Sequence, residues 1–155
     1  MKIYIGIDPG AKGAMVCMFT PGSIHFLDYA VGGIHEYIKH LKLIQKTNPT
    51  ADLVVGVEKV HSMPGQGVVA TFSFGYKSGE LAGMLAALRI PNIQVTPIQW
   101  QRVCKKKPKS NKKGTFDAIK MIYPSVIDEL TGPKGGIKDG RCDALGLMHY
   151  VRTKY

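Results

Sequence analysis

The chain has 155 residues, 45% of them hydrophobic, with 21 lysines and arginines against 11 aspartates and glutamates, a formal balance of +10. That much apolar material excludes a disordered chain, and the length fits one domain over residues 1–155. The charge points to a polyanionic partner, nucleic acid before an anionic membrane surface. Cys17, Cys104 and Cys142 form no CxxC pair and are odd in number, which argues against a disulfide scaffold or a cysteine-rich zinc site. They read as small buried apolar groups. No signal-peptide pattern opens the sequence, and no stretch nears the roughly 20 apolar residues that span a bilayer. A cytoplasmic protein without membrane contact is expected.

In chain order, residues 2–8 read as a strand with Ile3, Ile5 and Ile7 on one face, ended by Asp8-Pro9-Gly10. Residues 14–19 and 24–29 read as two more short strands, joined through Pro21-Gly22-Ser23 into an antiparallel meander. Residues 33–45 carry apolar groups at helical spacing and stop at Asn48-Pro49. Residues 52–60 are nearly continuous in apolar side chains, as in a central strand covered on both faces. After a glycine- and proline-containing loop at 61–67, a long helix is expected over 72–88, a short strand over 93–96, and a helix from Pro97 to Val103. Residues 105–114 read as a basic loop, 115–122 as a helix with Thr115 as N-cap, 132–136 as a loop and 139–151 as the last helix. The order predicts an α/β mixed five-stranded sheet with helices on both faces.

Four of the eleven acids have unusual settings. Asp8 ends an apolar strand, Glu58 lies near the end of the central one, and Asp139 and Asp143 share one face of the last helix. Ligands of open α/β sheets gather beyond the carboxyl ends of strands, where Asp8 and Glu58 can meet. Four carboxylates in one place repel one another unless a cation neutralises them, and oxygen donors suit Mg²⁺ or Mn²⁺. Each acid also has an ordinary reading: Asp8 in an Asx turn, Glu58 paired with Lys59, Asp139 as a helix N-cap.

The motifs IGIDPGAKGA (5–14), VVGVEKV (54–60), MPGQG (63–67), FSFGYKSG (72–79) and KDGRCDALGL (138–147) resemble those of the RuvC-like Holliday junction resolvases, above all their phage and chloroplast members. The resemblance covers nearly the whole chain. It implies a ribonuclease H-like fold and a homodimer that cuts four-way or otherwise branched DNA. It also implies two Mg²⁺ ions per active site, replaceable by Mn²⁺, on catalytic, metal-ligating Asp8, Glu58, Asp139 and Asp143. Typical bacterial members space the last acidic pair by three residues; here it is four, as in the DGRxDA form of the phage and chloroplast branch. Two alternatives stay open: a broader branched-DNA or RNA–DNA hybrid nuclease, and a catalytically idle junction-binding protein. An actin-like ATPase is excluded by the length and by the lack of a GxxxxGK[ST] loop.

DNA contacts are expected elsewhere. Residues 101–120 hold eight bases and one acid, so Lys105, Lys106, Lys107, Lys109, Lys112 and Lys113 are candidate phosphate contacts. By the resemblance, Lys112 or Lys113 approaches the scissile phosphate. By the same resemblance the region after Glu58 lies at the junction centre, with Met63, Gly65 and Gln66 as contacts and a ring among Phe72, Phe74 and Tyr76, Phe74 first, stacking on a base; each of these rings also has a core reading. Gly75, Gly79 and Gly83, with Ala82 and Ala86, form a small-residue strip suited to internal packing or a dimer seam. His61 reads either as a proton-transfer group or as an ordinary loop histidine.

Overall fold

The computed structural model describes residues 1–19, 22–59, 65, 67–107 and 111–155. The alternating apolar residues of β1 (Lys2–Ile7) pair antiparallel with β2 (Ala14–Phe19), and β2 pairs with β3 (Ser23–Asp28). This is the expected meander. On the other side of β1 lies β4 (Asp52–Glu58), parallel to it, followed by β5 (Asn92–Val95), parallel to β4. The sheet order is β3-β2-β1-β4-β5.

The period of two sorts the strands' side chains into two cores. Ile3, Ile5 and Ile7 meet Tyr37 and Leu41 of α1 (Gly33–Thr47) and Leu81 and Leu85 of α2 (Val68–Ala87) on one face. On the other face, Val16 and Val95 meet Trp100 of α3 (Pro97–Val103), Ile119 of α4 (Lys112–Ile122) and the apolar stripe of α6 (Asp139–Lys154). The helix α6 lies against β1 itself, because Gly6 leaves room for it. A Cβ at Gly6 would stand 2.1 Å from the Ala144 carbonyl oxygen. Ala144, Leu145, Leu147, Met148 and Val151 are wholly buried there.

Three expectations are corrected. The helix α2 begins at Val68, before residue 72, and α4 begins at Lys112, inside the expected basic loop. Thr115 is therefore an interior helical residue, buried with Ile119 one turn on, and Asn111 takes the cap position. Inward packing of that Thr115–Ile119 face sets the helix, against the repulsion of its lysines. After Pro124, a 3-10 turn (Pro124–Val126) and α5 (Ile127–Leu130) form where no element was expected, anchored by the buried Leu130. Among the described residues, no helix is long and apolar enough to cross a membrane.

Candidate active site

Strand register brings the first two acids together. Ile7 pairs with Val57 in the parallel β1–β4 ladder. The next residues, Asp8 just beyond β1 and Glu58 at the last position of β4, therefore stand side by side at the carboxyl edge of the sheet. The other two acids arrive on α6, whose first turn touches the β1–β2 connection through a bridge between Gly13 and Gly140. A Cβ at Gly140 would stand 2.0 Å from the Lys12 carbonyl oxygen, so only glycine permits this approach. Asp8, Asp139 and Asp143 then line one open cleft of about 520 Å³, with Asp28, Lys112 and Arg141 also on its wall. Glu58 acts on them from an adjoining cavity of about 250 Å³ beside Pro9 and Ser78.

The carboxylates burden one another. Burial, followed by the charges of Asp143, Glu58 and Asp139, pushes Asp8 up to about 8. Burial, then Glu58, pushes Asp143 up to about 7, while Lys106 opposes the rise. Glu58 is also raised by burial, and a hydrogen bond from Trp100 works the other way. In that bond the Trp100 indole Nε1–H donates to Glu58 Oε1 at 2.9 Å. Lys112 Nζ lies 2.5 Å from Asp139 Oδ2, and this bond is the main reason its ammonium holds its proton more tightly.

Such a donor set suits a hard divalent cation: every candidate donor is an oxygen, and the positive charge of Lys106 and Lys112 does not offset the burial and mutual repulsion of Asp8 and Asp143. Among the described residues, no three His, Cys, Asp or Glu side chains converge on one ion-sized point. Three acids instead face the cleft, with Glu58 behind Asp8. The ordinary readings of three of them do not describe the geometry. Asp139 is the first residue of α6, with Lys138 at the cap position, Glu58 is bonded to Trp100 rather than Lys59, and Asp8 is drawn into the acidic group.

Sequence reading missed several residues here. Arg141 Nε and Nη2 donate to the two Asp28 carboxylate oxygens at 2.7 and 2.8 Å, and Nη1 donates to the Glu129 carbonyl at 2.9 Å and to its carboxylate. This clamp ties the first turn of α6 to β3 and α5 and holds the Asp28 carboxyl below its usual range. Its only trace in the sequence is the arginine between the two acids of KDGRCDA, since Asp28 is 113 residues away. Lys12 and Lys138 also line the cleft. Trp100 gave no signal beyond being the single tryptophan.

The basic candidates divide. Lys112 reaches the acids, and half-buried Lys106 lines a second cleft of about 260 Å³ with Asp139 and Asp143. Lys105, Lys107 and Lys113 are exposed. Lys109, Met63, Gln66 and His61 lie outside the described residues. Phe72 is 74% exposed, whereas Phe74 is half-buried, with Cε2 near Gly10 of the turn after Asp8. Added Cβ atoms at Gly75, Gly79 and Gly83 would meet nothing within 4 Å, so among the described residues these glycines face open space. All three cysteines are buried, their thiols pushed up to about 12, as expected of apolar filling.

No protein-family model matches the chain, and no curated protein sequence matches it. Solved structures do. A structure of Thermus thermophilus RuvC in complex with Holliday junction substrate superposes with a TM-score of 0.59 at 15% identity, over 96% of this chain and 91% of that one. The fold is that of RuvC. A second Thermus thermophilus RuvC structure agrees, with a TM-score of 0.54 and 16% identity over 98% of this chain and 96% of that one. The expected ribonuclease H-like, mixed five-stranded sheet with helices on both faces is therefore the observed one.

Proposed function

We propose that this chain is a structure-selective endonuclease that resolves four-way (Holliday) or otherwise branched DNA by metal-dependent phosphodiester hydrolysis. The observation that carries the reading is the electrostatic coupling of Asp8, Glu58, Asp139 and Asp143 at one edge of a RuvC-type sheet. A neighbour with this fold was solved with a Holliday junction substrate, which supports branched DNA as the ligand. The DGRxDA form supports a place beside the phage and chloroplast members, as one nuclease domain working in the cytoplasm.

In this reading the four carboxylates hold two Mg²⁺ ions, with Mn²⁺ as substitute. Such a pair, when bound, activates a water toward phosphorus and stabilises the departing 3′ oxygen. The chain supplies placement and charge. Asp8, fixed directly after β1, would be the first of the residues to hold the ions. Glu58, Asp139 and Asp143 complete the set from β4 and α6. Asp8, Glu58 and Asp143 would ligate when ionised, so a bound cation would have to displace the protons that burial favours on them. Lys112 is the base within reach of the scissile phosphate, and Lys105, Lys106, Lys107, Lys109 and Lys113 hold the flanking backbone. Phe72, with its exposed ring, stacks at the branch point, and Phe74, Met63 and Gln66 are further candidate DNA contacts.

A four-way junction has two opposed strands to cut, which suits two active sites related by a two-fold axis. The exposed strip of α2, with Val69 and Tyr76 beside the three glycines, offers a face for the second copy. The experiment is a comparison of an immobile four-way junction with matched duplex, flap and RNA–DNA hybrid substrates in Mg²⁺. Preferred cutting of the junction is expected. Equal or better cutting of the hybrid would favour the broader nuclease, and tight junction binding without cutting would favour the idle binding protein.

A further inference from the structure

The sole tryptophan of the chain sits where a surface helix, the central sheet and the last helix meet. The Thr96 side chain and Gln99 form a capping box that starts α3 directly after β5, with Pro97 in its first turn. This rigid start delivers Trp100 one turn later, with 1% of its surface exposed. Its ring lies on α6 at Gly146, where an added Cβ would stand 2.6 Å from the ring atom Cε3. Gly146 continues the helical face that carries Asp139 and Asp143, three residues beyond the second acid. One stripe of α6 thus presents two carboxylates and then the gap that receives the indole. At the other edge of the ring, Nε1–H donates to Glu58 Oε1 at 2.9 Å.

An indole is a donor only and carries no charge. It can fix a carboxylate oxygen without neutralising the carboxylate. A lysine or arginine there would bind Glu58 as well, but would compete with a cation for its charge. Lys112 stands in that competing relation to Asp139. Groups behind a metal ligand that orient it are worth roughly 10–100-fold in metal affinity when removed.

We infer that Trp100 is the positioning residue of the site: its indole N–H holds Glu58 Oε1 and leaves Oε2 to the cation, while Gly146 keeps the ring registered against the helix that bears Asp139 and Asp143. The inference rests on the reading of Glu58 as a metal ligand. Its consequence is that α3, which carries no acid, sets the geometry between β4 and α6.

The test is calorimetric titration of the full chain with Mn²⁺ in the absence of DNA, on wild type, Trp100→Phe, Glu58→Gln and the double variant, each at a temperature where circular dichroism shows it folded. Trp100→Phe is expected to weaken Mn²⁺ binding roughly 10–100-fold. The double variant is expected to bind no worse than Glu58→Gln, because the indole acts only through that carboxylate. A purely structural tryptophan would lower the melting temperature and leave Mn²⁺ affinity unchanged. If Glu58→Gln weakens binding and Trp100→Phe does not, the positioning role is overturned while the metal reading stands. If Glu58→Gln binds as wild type does, the metal reading itself fails. Should Trp100→Phe not fold, wild type still decides the matter, since one tryptophan gives one indole N–H cross-peak in a ¹⁵N-labelled sample. That peak is expected to move on Mg²⁺ titration of wild type and to stay fixed in Asp8→Asn. An unmoved wild-type peak at concentrations where calorimetry shows binding would overturn the inference.

Discussion

Asp8 shows most directly how residue chemistry and stability are linked here. Its carboxyl holds a proton up to about 8 in the folded chain, against an ordinary value of 3.8, and Asp143 does so up to about 7. Between those values the native state binds more protons than the unfolded state. Stability without metal therefore falls as pH rises through this window. Asp8→Asn keeps the size of the side chain and deletes the charge. At pH 8 without metal it is expected to raise the melting temperature by several degrees, since about 1 kcal/mol moves a domain of this size by roughly 2–4 °C. Near pH 4 its effect should vanish. Differential scanning calorimetry at the two pH values checks this, and a destabilised variant at pH 8 would contradict the strained-acid account. Mg²⁺ should raise the wild-type midpoint more than that of the variant. The four acids were legible in the sequence because charges at strand ends and on one helix face are rare among apolar neighbours. Trp100 and Arg141 were not, because their partners Glu58 and Asp28 are 42 and 113 residues away.

At the scale of elements, β1, β4 and α6 form the frame on which the acids sit. β1 was legible from its alternating isoleucines and β4 from its nearly continuous apolar run, and α6 as the last helix after the loop at 132–136. The starts of α2 and α4 were not. Val68 and Val69 are exposed and β-branched, so they show no helical stripe, and Lys112-Lys113-Gly114 reads locally as a solvated loop. Both starts are decided by packing further along each helix, at Leu81 and Leu85 and at Thr115 and Ile119. The glycine strip of α2 gives a prediction of its own. A Cβ added at Gly79 meets nothing within 4 Å among the described residues, and Gly79→Leu replaces a poor helix former by a good one, a change worth about 0.5–1 kcal/mol. Its melting temperature should hold or rise. If the strip is the dimer seam, sedimentation of the same variant will show monomer where wild type shows dimer. A variant that stays dimeric would move the seam off this strip.

The whole molecule separates charge by purpose. Asp8, Asp139 and Asp143 lie in the cleft with Glu58 beside it, while residues 101–120 carry a balance of +7. Junction affinity should accordingly fall steeply with salt. Replacing Lys105 and Lys113 by Gln should lower the slope of log K against log[salt] by about 0.9 for each phosphate these lysines neutralise, with little change in which strands are cut. An unchanged slope would assign phosphate binding to other bases. Affinity and chemistry are then separable, because the exposed lysines are not the acids that face the cleft.

That separation makes one measurement decisive: mapping the cut positions on all four strands of an immobile junction, with wild type and Asp8→Asn, in Mg²⁺ and in EDTA. Paired nicks at symmetric positions on two opposed strands are predicted for wild type in Mg²⁺ alone, with Asp8→Asn still binding the junction but not cutting it. Cutting that persists in EDTA or in Asp8→Asn would contradict the assignment of the carboxylate cluster as the metal-dependent centre of the enzyme.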